Sequence, residues 1–158
     1  MGIPVEVVGV RIELPSNQPI LLLKECDGIR YLPIWVGAVE ASAIAFAQQG
    51  VVPIRPLTHD LFTNVLGLLN AQILKVDLTD VVDGVFMAEL HLAGGEVISA
   101  RPSDGVALAL RSGALIEASE ELFTKVGIEI PDQGDESDDE VEKFREFLDH
   151  INPEDFAG

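Results

Sequence analysis

Three strand-like stretches followed by an alanine-rich helix occur twice in this chain, and a duplication of that kind leaves few folds open. In the first copy, Val5 to Leu14 is rich in Val and Ile with charged residues interspersed. The cluster Pro15-Ser16-Asn17-Gln18-Pro19 turns the chain into a second strand, Ile20 to Glu25. Asp27-Gly28 supplies the next turn, and Arg30 to Val36 forms a third strand. Gly37 breaks it, and Ala38 to Gln49 reads as a helix stopped by Gly50. The order then returns: strands at Ala71–Thr79, Val85–Leu92 and Glu96–Ala100, turns at Asp83-Gly84 and Ala93-Gly94-Gly95, and a helix over Ser103–Ser112. Glu40 to Phe46 overlies Asp104 to Leu110, an acid opening each segment with apolar residues in step. The pattern predicts an α+β fold: a duplicated β-β-β-α unit forming a mainly antiparallel mixed or barrel-like sheet with packed helices.

Between the copies, Pro53 and Pro56 keep the chain extended. Thr58 or Asp60 then caps a helix through Leu61, Val65, Leu66 and Leu69. After the second copy, Ile116 to Val126 reads as a short helix and Gly127 to Pro131 as a final edge strand. Asp132 to Glu142 is an acidic run that cannot bury a core. Val141, Phe144, Phe147, Leu148 and Ile151 recur at helical spacing, an amphipathic helix whose apolar face must dock on the body, a twin subunit or a partner. The domain reading is therefore 1–131 for the folded body, with 132–158 as acidic linker and short C-terminal helix.

The formal net charge of −17 is concentrated at one end: 15 of the 27 acidic residues follow Ala114, against 3 of the 10 basic ones. No basic stripe marks a phosphate-tracking surface, so nucleic acid would be held weakly or with help from a metal. A single cysteine, Cys26, forms no internal disulfide and favours a reducing compartment. The opening residues Met1 to Glu6 lack the basic and apolar regions of a signal peptide. Pro33, Gly37 and Glu40 interrupt the most apolar stretch, which excludes a helical membrane span there. The expected location is the cytoplasm.

No Walker loop, GxGxxG, HExxH, paired CxxC or GxSxG is present. His91 and His150 fall in strand and helix patterns and read as surface or packing residues. Three polar clusters remain, each at a corner between elements. In Ser99 to Asp104, Ser103 reads as an N-cap and Asp104 as an acid favoured by the helix dipole. Arg101 is unexplained by that reading: a cation beside a helix N-terminus needs an anion, either Asp104 or a substrate phosphate. Glu40 is either dipole-favoured or buried and paired, since it interrupts an apolar run. Arg55 to Asp60 sets a cation, an imidazole (His59) and a carboxylate (Asp60) together, which can be capping and surface polarity or an acid–base site.

Taken in order, Leu32-Pro33-Ile34-Trp35-Val36-Gly37 with Glu40-Ala41, Arg55-Pro56-Leu57-Thr58-His59-Asp60, and Ala100-Arg101-Pro102-Ser103-Asp104 with Ala107-Leu108-Ala109 resemble the bifunctional nuclease family over residues 3–130. The resemblance implies a compact, commonly oligomeric α+β fold and nuclease activity on RNA and DNA. The resulting expectation is a phosphodiesterase. Glu40, His59, Asp60 and Asp104 are its candidate catalytic groups: Glu40, Asp60 and Asp104 would hold a magnesium or manganese ion or activate water, His59 would serve as acid or base, and Arg55, Arg101 and Ser103 would bind substrate. The expected partners are RNA or DNA, a second copy in a homodimer or larger homo-oligomer, and a protein partner for the C-terminal helix. The alternative is a non-enzymatic binding or regulatory module in which the same clusters are caps and salt bridges. A sensor of an anionic metabolite is a third reading.

Overall fold

The alternation of the first half folds into β1 (Ile3–Glu13), β2 (Gln18–Glu25) and β3 (Arg30–Trp35), an antiparallel meander, in the computed structural model, which describes residues 2–130. The chain then enters α1 (Ala38–Gln48) and α2 (Thr58–Leu68). The second half repeats the plan with β4 (Ile73–Val82), β5 (Val85–Leu92), β6 (Val97–Ala100) and α3 (Pro102–Ser112). Asp83 and Gly84 carry φ of 51° and 78° in the β4–β5 turn. A two-residue hairpin turn of the type matched to strand twist needs positive φ at both centres, which is why Asp-Gly sits there.

The segment predicted as one helix from Ile116 is instead a strand followed by a helix: β7 (Leu115–Ala118), then α4 (Glu120–Val126). β7 lies between the two meanders, parallel to β4 and antiparallel to β1. Ladder bonds on both sides outweigh the weak helical spacing of a four-residue strand whose inner residues, Ile116 and Ala118, are buried. Ser119 ends the strand and caps α4, its Oγ accepting from the Leu122 amide at 3.0 Å. The edge strand expected after Gly127 is present as β8 (Ile128–Glu129), paired with β3. The sheet order is β6-β5-β4-β7-β1-β2-β3-β8, a mixed sheet that does not close, so the barrel-like variant is not formed among the described residues. The acidic run and the amphipathic pattern after Asp132 lie outside the described residues.

One face of this sheet carries α1 and α3. Leu21, Leu23, Leu32 and Ile34 from the first meander and Val76, Leu78, Ala88 and Leu90 from the second are buried against Ala41, Ala43 and Ile44 of α1 and Val106 to Ala109 of α3. The small side chains Ala41, Ala43, Ala107 and Ala109 let the two helices approach closely, which brings the start of each repeat's helix to the same end of the layer. On the other face, Ile20, Leu22, Tyr31 and Trp35 form a second cluster with Ile130. Arg30 joins β3 to α4, its guanidinium pairing with Glu25 and Glu120 and lying over the Phe123 ring at 4.5 Å.

Close packing of α3 on β4 sets a limit on its residues. A Cβ on Gly105 would stand 2.7 Å from Cγ1 of buried Val76 on β4. Alanine gains up to about 1 kcal/mol over glycine in a helix interior, but overpacking a core costs about 1–3 kcal/mol. Gly105→Ala is therefore expected to lower unfolding free energy by about 1–2 kcal/mol in a urea titration. A stabilised variant would mean that α3 can lift from β4 at little cost.

Candidate active site

Each repeat ends its third strand in a helix whose first turn carries one acid. In α1 that acid is Glu40, and in α3 it is Asp104. The helix packing described above points both corners at one cleft of about 980 Å³. Arg101, immediately before Pro102, joins them: Nε donates to Asp104 Oδ2 at 2.8 Å, and Nη2 donates to Glu40 Oε1 at 2.8 Å. Arg101 is itself the N-cap residue of α3 with Pro102 in the first turn, and no side chain caps that end. Ser103, expected as the cap, is two residues too late, buried, and absent from the cleft lining. The paired carboxylates offset the penalty of a cation at a helix N-terminus. They also raise the Arg101 pKa further, Asp104 first and Glu40 second.

The linker helix contributes the third corner. His59 Nε2 lies 2.9 Å from Asp104 Oδ1. A carboxylate paired on its other oxygen with Arg101 can only accept, so Nε2–H donates and Nδ1 is left for a ligand. Thus Glu40, Arg101, Asp104 and His59 form one chain of charge-assisted bonds along the cleft. The His59 side chain is 14% exposed and Arg101 60% exposed. Nε and Nη2 of Arg101 are both held, so the fork is fixed while Nη1 has no partner among the described residues.

Asp60 follows His59 in sequence but does not line the cleft. Its Oδ1 accepts from Arg111 Nε at 2.7 Å and its Oδ2 accepts from the Leu57 amide at 3.1 Å. It therefore caps α2, as the sequence suggested, and ties α2 to α3. Arg111 completes the clamp: Nη1 donates to Ala107 O at 2.8 Å and Nη2 to Ala43 O at 2.9 Å, linking three helices. The hydrogen bond from Arg111 is the main cause of a lowered Asp60 pKa; burial opposes it and the Leu57 amide reinforces it. Arg55 is exposed and does not line the cleft. Reading the sequence missed Arg111, whose position in the last turn of α3 signals only dipole compensation. It also missed Phe46 and Phe62, two lining aromatics 39% and 43% exposed, whose positions merge with the apolar periodicity of their helices.

The donor set bears on a metal ion. Among the described residues no three His, Cys, Asp or Glu side chains are grouped so as to hold one. Both oxygens of Asp104 and Oε1 of Glu40 are engaged, and the guanidinium of Arg101 stands where a cation would bridge them. Arranged this way, the site does not fit a divalent ion. It can bind an anion at Arg101 and move protons at Glu40 and His59.

Comparison with known proteins places these residues in a wider group. The model of the bifunctional nuclease domain family matches residues 21–131, a span that includes Glu40, His59, Arg101 and Asp104. Two proteins from two strains of Mycobacterium tuberculosis, each described as an uncharacterized protein, are 50% identical to this chain over 158 residues, covering 96% of it and 96% of their own length.

Proposed function

Since the chain belongs to the bifunctional nuclease domain family, we propose that the cleft at its two helix corners cleaves phosphodiester bonds in nucleic acid. One observation carries this reading: a guanidinium fixed by two carboxylates, with an imidazole oriented by one of them, in an open cleft. Arg101 Nη1 meets a phosphate oxygen and stabilises the charge that develops there. His59, oriented by Asp104, transfers a proton at Nδ1, and Glu40 is the second proton-transfer group. Asp60 has a positioning role: through Arg111 and Leu57 it sets where α2 begins and hence where His59 stands. The test is purified protein on labelled RNA and DNA, in magnesium, in manganese and in chelator. If neither polymer is cut in any condition, the reading is wrong.

The expectation of a homodimer or larger homo-oligomer is favoured by a different feature. None of the α2 residues is buried; Leu61, Val65 and Leu68 are exposed, as are Leu69 just after the helix and Val52 and Ile54 in the segment before it. A solvated helix rarely presents so broad an apolar face. The only carboxylate of α2, Asp60, is turned to Arg111, so this face opposes no charge to its own copy, while the rest of a chain of net charge −17 repels itself. We propose that two copies pair through it. Leu68→Glu is then expected to convert a dimer to a monomer in light scattering after size exclusion. A wild-type chain that is monomeric at micromolar concentration rules the pairing out.

A further inference from the structure

We propose that residues 141–151 of this chain seat their apolar stripe on the outer face of β2 and β3, the face turned away from α1 and α3. None of the residues of that face lines the cleft.

Ile20 and Leu22 of β2 with Tyr31 and Trp35 of β3 make up the face, and none is more than 9% exposed. The second meander is different. Its outward positions, alternating with the core residues Val76, Leu78 and Leu90, are Asp77, Glu89 and His91, all partly exposed. One half of the outer face therefore meets water and the other half is buried. The run Ile20-Leu21-Leu22-Leu23 carries the same message, since a strand alternates when one face is wet and is apolar throughout when both are covered. No described helix supplies the cover. The second cluster consists of strand residues and Ile130. Ala41, Ala43 and Ile44 of α1, Val106 to Ala109 of α3, and Leu122 and Phe123 of α4 all belong to the first cluster, and α2 buries nothing. The cover comes from beyond residue 130 or from another molecule.

The path of the chain decides between these. Ile130 belongs to the cluster and its amide donates to Ile29 O at 3.1 Å, so the chain leaves the sheet against this face. The next ten residues, 131–140, can span up to about 33 Å. Val141, Phe144, Phe147, Leu148 and Ile151 follow as one stripe at helical spacing. A helix over 141–151 is about 16 Å long, and β3 from Tyr31 to Trp35 runs about 13 Å, so stripe and face match in length. Tethering gives the segment a local concentration on the order of millimolar. A second copy must bind from dilute solution, against the repulsion of a net charge of −17 on each chain. Seated here, the stripe belongs to the folded body and is not on offer to another protein. The acidic residues before Val141 are then the loop that joins it to β8.

Trp35 is the only tryptophan in the chain, so its indole reports on this face. The full chain is prepared with exposed Cys26→Ser and with Glu146→Cys, which lies off the stripe, and a nitroxide is attached at 146. The Trp35 indole N–H resonance is expected to broaden beyond detection and to return when the nitroxide is reduced. Isotope-labelled chain without nitroxide, mixed with unlabelled chain that carries it, is expected to keep a sharp Trp35 signal. Phe147→Asp is expected to raise the undocked population about 10–100-fold, so that broadening is lost and acrylamide quenches Trp35 several-fold faster. Phe147→Leu is expected to behave as wild type. A Trp35 signal untouched by the nitroxide overturns the proposal, and that measurement needs no destabilising change. Broadening that appears only between chains also overturns it and gives the face to the tail of a second copy. A Trp35 that stays shielded in a folded Phe147→Asp chain overturns it as well, in favour of another occupant.

Discussion

Replacing Arg111 with methionine is expected to lower the unfolding free energy by about 3 kcal/mol. The guanidinium is 9% exposed and makes bonds to Asp60, Ala43 O and Ala107 O, so it holds α1, α2 and α3 together. Methionine keeps the stem and much of the packing but removes all three donors. Removing one partner of a buried ion pair costs about 3–5 kcal/mol, because the other charge is left without compensation. Asp60 is 26% exposed and regains some water, which places the expectation at the lower end. A double-mutant cycle separates the terms: Arg111→Met with Asp60→Asn removes the stranded carboxylate and is expected to recover about 1 kcal/mol relative to Arg111→Met alone.

Acid titration gives a second reading of the same clamp. The folded-state pKa of Asp60 lies below its ordinary 3.8, with the Arg111 hydrogen bond as the leading cause. Its contribution is fully present above the ordinary value and is lost as pH falls through the depressed one. The stability gap between wild type and Asp60→Asn is therefore expected to be constant near neutrality and to close only below about pH 4. A gap that closes near pH 6 would mean that a histidine, not Asp60, carries the linkage.

The clamp also shows where sequence reading stopped. The repeat was legible because strand alternation, the Asp-Gly turn at Asp83 and the alanine-rich helices are local signals, and local signals agree here with the tertiary structure. β7 was not legible as a strand, since its four residues owe their conformation to ladders with β4 and β1 distant in sequence. The corner acids Glu40 and Asp104 could be found from the repeat alone. Adjacent positions on a helix point about 100° apart, and that geometry divides His59 from Asp60. The first faces the cleft and the second faces Arg111, 51 residues away in sequence. No spacing rule reports such a partner. Ser103 was misplaced by two positions because Pro102 is the first residue of α3 rather than preceding its cap, which leaves Arg101 as the N-cap.

Activity should fall furthest at the residue that this division leaves in the cleft. His59→Ala is expected to reduce kcat about 10²–10⁴-fold on a cleavable strand, the usual range for loss of a general acid or base. Asp104→Asn tests the same bond from the other side. The amide keeps the shape but no longer compels Nε2 to carry the proton, and it weakens the hold on Arg101 Nε, so both orientation and phosphate binding suffer. Its expected signature is a raised KM together with a reduced kcat, whereas His59→Ala should leave KM nearly unchanged because Arg101 and Phe62 still bind. Neither change should unfold the chain, as both side chains border an open cleft, and a thermal melt of each variant checks that. If His59→Ala cuts at the wild-type rate, the activity belongs to a contaminant or to another surface. If it is lost while Asp104→Asn is unaffected, the imidazole acts without the carboxylate, and Asp104 serves only to anchor Arg101.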